Sequence, residues 1–315
     1  MNKNMKLFIT GGAGYLGREI VKRYYNKAQI TVYSRDEAKH YFLKKQFPEI
    51  KCIIGDVADF DHMKKAAKGH NFGIFAASLK QIEAVDQNVD IAIRTIINGA
   101  TNSRNVAEEN NFEAACFISS DKSRAATTLY GAMKFIGGEA FIVNAEESNV
   151  RLTTAIYGNV LNSTGSIIPL ILDSIKNNYE IKLYSPEMTR FMIDVEEAIN
   201  LIDNSFNYSG YNIIPNISSF KVLDLFEIYK KEFGLKYSLG VPRISEKIHE
   251  IMIAKEEIPR TFLDENTNMY MMHYKKIFND SKVNFNEFSS ENVVVSKQQL
   301  YDKLKKNNFF QKNNK

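Results

Sequence analysis

The sequence predicts a doubly wound α/β fold with a parallel sheet and a smaller carboxy-terminal lobe, on three observations. Between residue 5 and about residue 157, short β-branched or aromatic runs alternate with longer helical patterns, the spacing of repeated βαβ units. A glycine-rich turn joins the first such run to the first helical stretch. After Gly158 the alternation stops, and a Ser/Thr/Gly loop at 162–166 and a proline-containing segment at 185–188 mark a change of organisation.

The strand-like runs are 6–10, 29–33, 51–54, 72–76, 114–118 and 152–155. Helical patterns occupy 15–26, 36–47, 62–68, 88–110 and 129–148, then 168–177 and 220–233 beyond the break. From residue 266 the chain is rich in Asn, Lys and Tyr with few periodic cues, and 305–315 reads as a frayed tail. No internal repeat points to a solenoid.

With 315 residues, 44% apolar and 25% charged, the chain is long enough for one large or two modest cores, which excludes disorder, collagen and coiled coil. Its net charge of +4 comes from scattered Lys and Arg, so nucleic acid is not expected as a main partner. The longest apolar runs, around 72–79 and 167–172, fall short of the roughly 18 to 20 residues a membrane span needs, and 1–6 is no signal peptide. Cys52 and Cys116 sit in short apolar runs, which suits reduced thiols; neither a disulfide nor a metal site is implied, and a cytoplasmic location is expected.

Thr10-Gly11-Gly12-Ala13-Gly14-Tyr15-Leu16-Gly17 follows a predicted strand and opens a predicted helix, where a pyrophosphate-binding turn belongs. Gly11 permits the tight turn, Gly14 lets backbone amides approach the pyrophosphate, and Gly17 lets the helix pack close to the sheet. Tyr15 and Leu16 open that helix and are assigned to the same cofactor site. At the end of the second strand stand Ser34 and Arg35, where NAD-binding folds usually carry an acidic residue for the ribose 2′-hydroxyl. A hydroxyl followed by a guanidinium favours a 2′-phosphate, so NADP is expected over NAD. A solvated Arg35 with Asp36 as a plain N-cap would look the same. Asp56 and Val57, past the third strand, are placed for the adenine edge, and a simple Asp cap also fits there.

Ser119-Ser120-Asp121-Lys122 ends the fifth predicted strand, at the carboxyl edge where open α/β sheets bind ligands. Tyr130 and Lys134, four apart on one predicted helix, share a face. The ammonium is expected to lower the phenol pKa, letting Tyr130 act as general base towards a substrate alcohol.

These segments resemble the extended short-chain dehydrogenase/reductase superfamily, whose fold is the NAD(P)-binding Rossmann fold. More closely, the chain is similar to the UDP-N-acetylglucosamine 4,6-dehydratases of bacterial surface-sugar pathways, including the C5-inverting type. The matching segments run in family order from 10–17 through 32–37, 54–59, 76–80, 119–122, 129–134, 157–160, 165–169 and 188–191 to 243–250.

The resemblance implies that Tyr130 takes the 4-hydroxyl proton, Lys134 holds the nicotinamide ribose, Lys122 abstracts the C5 proton and Asp121 protonates the departing 6-hydroxyl, with Ser120 beside them. It adds Ala76 to the cofactor site. Lys80 and Asn159 fall on the sugar side, Thr189, Arg190 and Arg243 at the diphosphate, and Glu246 at the nucleoside. It also implies a UDP-sugar substrate, no metal, and a homo-oligomer formed through helices 88–110 and 129–148. Residues 1–160 with about 190–212 are expected to form the dinucleotide domain, and 161–189 with 213–315 the sugar-nucleotide lobe.

Four positions depart from the family pattern: Gln81, Ile96, Ala126 (within Ala125-Ala126) and Ile156. They are expected to surround the sugar pocket, which leaves the sugar, the nucleobase and the C5 outcome open. The leading expectation is an NADP-dependent 4,6-dehydratase. A C4 epimerase using Tyr130 and Lys134, a different elimination or epimerisation on an altered nucleotide sugar, and a non-catalytic NADP-binding sensor stand beside it.

Overall fold

A computed structural model describes residues 4–163, 165–279 and 282–310. The first half runs β1 (Lys6–Thr10), α1 (Tyr15–Tyr24), β2 (Gln29–Ser34), α2 (Glu37–Gln46), β3 (Lys51–Ile54), α3 (Phe60–Ala67), β4 (Phe72–Phe75), α4 (Ile82–Gln87), α5 (Val89–Ala92), α6 (Gly99–Glu109), β5 (Ala114–Ile118), α7 (Leu129–Ile142) and β6 (Arg151–Ala155). The second runs β7 (Asn159–Val160), α8 (Ile167–Asn177), β8 (Ile181–Leu183), β9 (Thr189–Ile193), α9 (Val195–Ser205), β10 (Tyr211–Pro215), β11 (Ser219–Lys221), α10 (Val222–Phe233), β12 (Tyr237–Leu239), β13 (Ile251–Ile253), β14 (Thr261–Asp264), β15 (Met269–His273), β16 (Phe288–Ser289) and α11 (Lys297–Lys306).

Nine strands form one sheet in the order β14-β15-β10-β6-β5-β4-β1-β2-β3. Every pair from β3 to β10 is parallel, and β15 and β14 close the far edge antiparallel. In β1, Leu7 and Ile9 pack into one core while Phe8 packs into another, and all three are fully buried. Successive strand residues face opposite ways, so a run buried on both faces requires helices on both sides. This is the doubly wound Rossmann arrangement. Because β1 pairs with both β2 and β4, the chain reverses direction of winding beside β1, and a crevice opens at the carboxyl ends there.

Smaller sheets, β11-β9-β7, β12-β8 and β13-β16, belong to the second half. A separate core gathers Ile168, Ile171, Leu225, Phe226, Tyr229, Leu300 and Leu304 from α8, α10 and α11. Assigning all of 213–315 to a separate lobe is corrected by β14 and β15, which extend the large sheet beside β10.

The helix expected over 88–110 is interrupted by a π-helical stretch, Ile93–Asn98, between α5 and α6. The helix expected to reach 148 ends at Ile142; left-handed Asn144 then leads into a 3₁₀ turn, Ala145–Glu147. The expected frayed tail is also corrected. Lys305 and Lys306 lie in α11, Tyr229 Oη donates to the Phe309 carbonyl at 2.9 Å, and the Phe310 ring packs 5.8 Å from that of Tyr229. The remainder of that stretch, 311–315, lies outside the described residues, as does Thr164 of the Ser/Thr/Gly loop. Among the described residues no helix is long and apolar enough to cross a membrane.

Candidate active site

At the mouth of the crevice, β1 passes into α1 through the glycine turn. Gly11 has φ of +69°, and a Cβ there would lie 2.8 Å from the Ala77 amide nitrogen beyond β4. A Cβ on Gly17 would lie 2.4 Å from Gly12 Cα, so α1 rests directly on the turn. Gly14 caps α1 without a side chain, and no acidic residue stands in the first turn. The amides and positive end of the helix are therefore left for an anion. A cleft of about 810 Å³ runs from Gly11, Gly14, Tyr15, Leu16 and Gly17 past Ala76 to Ser120, Lys122, Tyr130 and Lys134. A glycine cradle closed to any Cβ, an uncapped helix start and an elongated cleft fit a dinucleotide.

At the other end of the cleft stand Ser34, Arg35, Asp56 and Val57. Ser34 Oγ is 2.6 Å from His40 Nε2, and the half-exposed Arg35 guanidinium is 3.6 Å from Asp56 Oδ2. Asp36 caps α2 by accepting from the Lys39 amide at 2.9 Å. Lys39 also lines the cleft and was not singled out in the sequence; its spacing of four from Arg35 was the available signal.

The segments that carry Asp121–Lys122 and Tyr130–Lys134 meet through a second glycine contact. Thr128 caps α7 by accepting from the Gly131 amide at 3.1 Å, which sets Tyr130 in the first turn. A Cβ on Gly131 would lie 2.2 Å from the Lys122 carbonyl oxygen, so α7 docks against the 3₁₀ turn Asp121–Ser123. Ser120 caps that turn.

Tyr130 is buried, and burial pushes its phenol up to about 12, against the lowering pull of the Lys122 charge. The expected lowering by Lys134 is corrected: Lys134 Nζ donates to the Ile118 carbonyl at 2.7 Å, and burial brings its own pKa down to about 7.

Asp121 is almost fully buried. Its Oδ1 accepts from Ser120 Oγ and from the Lys122 amide, both at 2.9 Å, while Oδ2 is buried without a hydrogen-bond partner among the described residues. Oδ2 lies under Gly158 in the cleft wall, 3.1 Å from where a Cβ would sit. Burial raises the carboxyl pKa, outweighing attraction to Lys122 and the hydrogen bond from Ser120. Lys122 Nζ donates to Glu250 Oε1 at 2.7 Å and lies 3.8 Å from Asp121 Oδ1. Burial works to lower this ammonium, but the two carboxylates overcome it and leave its pKa raised. Sequence reasoning gave Glu250 no role, although it ends the matching segment 243–250.

Of the expected substrate residues, Lys80 and Asn159 line the cleft. Arg243 and Glu246 border a second depression that shares Lys122 with it, and Arg243 pairs with Glu83 at 2.7 Å. Arg190 is buried and paired with Glu246 at 2.6 Å, so the two bind each other. Thr189 is buried against His249 and Ser290. The expectation that the four departures surround the sugar pocket is corrected: Gln81 lines the cleft, Ile96 packs behind Tyr130 and Met133, Ile156 is enclosed by Phe191, Ile214 and Met252, and Ala126 lies behind Gly131.

Fold and site together define an enzyme of the extended short-chain dehydrogenase/reductase type. The chain belongs to the polysaccharide biosynthesis protein family, whose model matches residues 7–273. It is 30% identical over 306 residues, 94% of this chain and 91% of the relative, to a UDP-N-acetylglucosamine 4,6-dehydratase (inverting) of Campylobacter jejuni. It is 29% identical to a UDP-glucose 4-epimerase of Rickettsia massiliae, covering 81% of this chain and 79% of that one. The X-ray structure of Pen from Bacillus thuringiensis shares the fold with a TM-score of 0.90 at 23% identity, covering 98% of this chain and all of that one.

Proposed function

We propose that the protein is an NADP-dependent nucleotide-sugar 4,6-dehydratase acting on UDP-N-acetylglucosamine or a close relative, yielding a 4-keto-6-deoxy sugar for surface glycan synthesis. One observation carries this reading: the Tyr130 site is joined by a buried acid, Asp121, and a lysine, Lys122, on one tight turn. Epimerisation at C4 needs neither; elimination of water needs both an acid and a base.

When bound, the dinucleotide would take hydride from C4 and later return it to C6. Gly11, Gly14, Gly17 and the start of α1 would hold its pyrophosphate, Ser34 and Arg35 its 2′-phosphate, and Lys134 its ribose. Tyr130 accepts the proton of the sugar 4-hydroxyl. Lys122, as free amine, takes the C5 proton made acidic by the new ketone, and Asp121 gives its proton to the departing 6-hydroxyl. Lys80 and Asn159 face the sugar, and Arg243 the diphosphate. Inversion at C5 would require reprotonation from the face opposite to Lys122. The exposed apolar side chains Leu129 and Ile136 of α7 suit packing against a second copy.

The test is mass spectrometry of UDP-N-acetylglucosamine after incubation with purified protein and no added reductant. Loss of one water is expected; an unchanged mass with a changed C4 configuration would replace this reading with the epimerase.

A further inference from the structure

Lys122 can act as a base only after giving up a proton, yet its nearest partner is a carboxylate that favours the ammonium. Glu250 reaches it from 128 residues further along the chain. The Glu250 side chain is 3% exposed, its backbone amide donates to Ser290 Oγ at 2.8 Å, and its carbonyl accepts from the Ser290 amide at 2.8 Å. Arg190 Nε stands 3.7 Å from the same Oε1, and Oε2 is buried without a hydrogen-bond partner among the described residues. A carboxylate gripped on both sides of its backbone and only partly hydrogen-bonded is built to hold one contact.

We propose that Glu250 is a positioning residue that holds the Lys122 amine towards the cleft and receives its proton along the 2.7 Å contact. This rests on the reading of Lys122 as the C5 base. The N–H bond of the ammonium breaks and an O–H bond forms on Glu250 Oε1, converting the ion pair into a neutral amine and acid. The amine lone pair then takes the C5 proton, and the C5–H electrons enter the enolate of the 4-ketone. When the C5 position takes up a proton again, Lys122 returns to amine and Glu250 returns its own proton to it. No outside acceptor is required. The titratable and charged groups facing the pair, among the described residues, are Asp121 from the turn, Tyr130 from α7, and Arg190 and Lys247 from the second half, with Glu246 behind Arg190.

A proton that moves inside the pair makes the amount of free amine independent of pH. Without the carboxylate, Lys122 must release its proton to solvent, and free amine rises roughly tenfold per pH unit below its pKa. The 4-keto-6-deoxy product of the wild-type reaction is placed in deuterated buffer, and exchange at C5 is followed by mass spectrometry between about pH 6.5 and 8.5. This step does not need Tyr130.

The wild-type rate should be flat with pH, and that of Glu250→Gln should climb roughly tenfold per unit. A flat profile in Glu250→Gln, or a steep one already in the wild type, overturns the role of Glu250 and leaves Lys122 in place. Should Glu250→Gln fail to fold, Glu250→Asp decides: a lower but flat profile supports the proposal, and a steep one overturns it. Lys122→Ala exchanging at the wild-type rate, or a wild-type protein that forms no 4-ketone, removes the dehydratase reading and this inference with it.

Discussion

Lys134 directs its ammonium at the carbonyl oxygen of Ile118, 2.7 Å away, and 4.9 Å from the centre of the Phe117 ring. One hydrogen bond and a ring face replace a full hydration shell, and burial therefore depresses the pKa from the ordinary 10.5 to about 7. Between those values the unfolded chain binds a proton that the native state does not. Stability should therefore rise with pH from about 7 towards 10.5. Lys134→Met should lose that rise and gain stability at neutral pH. Urea midpoints measured across this range decide it, and parallel wild-type and variant curves would exclude a neutral buried Lys134.

Gly17 lies so close to Gly12 that a methyl group would reach within 2.4 Å of its Cα. The obstacle is backbone, so the added group can only push α1 away from the turn. Gly17→Ala should destabilise by about 1 to 3 kcal/mol. It should also weaken dinucleotide binding more than a matched substitution such as Ala66→Ser on the half-buried surface of α3. Thermal unfolding with and without NADP checks both; unchanged binding would separate this glycine from the pyrophosphate site.

Most of the first six strands were legible in sequence because each is a short apolar run buried on both faces, as the burial of β1 and β5 illustrates, while the edge strand β3 is only partly buried. The glycine turn and the Tyr130–Lys134 pair were legible for a related reason, since local spacing fixes a turn or a helix face. What spacing could not reveal is direction: it placed Tyr130 and Lys134 on one face, but not which carbonyl would claim the ammonium. Nor could it bring Glu250 to Lys122, a contact made only when the two halves fold together. The helix α9 was readable and missed, for Asp194 and Glu197 form a capping box, each side chain accepting from the other's amide at 2.8 Å.

Arg35 is half exposed, with its guanidinium 3.6 Å from Asp56 and its neighbour Ser34 lining the cleft. If this end takes a 2′-phosphate, Arg35→Ala removes a charge-assisted bond worth about 1.5 to 3 kcal/mol. Binding of NADP should fall roughly tenfold to a hundredfold while binding of NAD barely changes. Titration with both dinucleotides tests this, and an equal loss for the two would place Arg35 outside cofactor selection.

Behind the Asp121–Ser123 turn, Arg124 is 1% exposed and bridges Glu257 at 2.7 Å and Glu139 at 2.9 Å, while Arg260 pairs with Glu257 at 2.7 Å. Arg124→Met leaves the buried Glu257 and the partly buried Glu139 short of a cation and should cost about 3 to 5 kcal/mol in urea unfolding. Lys247 also donates to the Arg124 carbonyl at 2.6 Å, so the turn is tied to the second half at this residue. A loss below about 1 kcal/mol would mean that the remaining Arg260 suffices.

In the proposed reaction Asp121 and Lys122 separate dehydration from simple oxidation. Burial raises the Asp121 pKa, and Tyr130 is carried by a different element and, in the proposed reaction, would meet the sugar at a different hydroxyl. Asp121→Asn should therefore leave oxidation at C4 intact and slow loss of water by roughly a hundredfold to ten-thousandfold. Lys122→Ala should do the same by leaving C5 without a base, although it also removes the positive charge that helps Tyr130 ionise. In both variants the sugar should accumulate as a 4-ketone that keeps its 6-hydroxyl, trapped by borodeuteride and read by mass spectrometry. Tyr130→Phe should form no ketone at all. Dehydration at the wild-type rate in Asp121→Asn would assign the acid to another group and remove the distinction from an epimerase on which the proposed reaction depends.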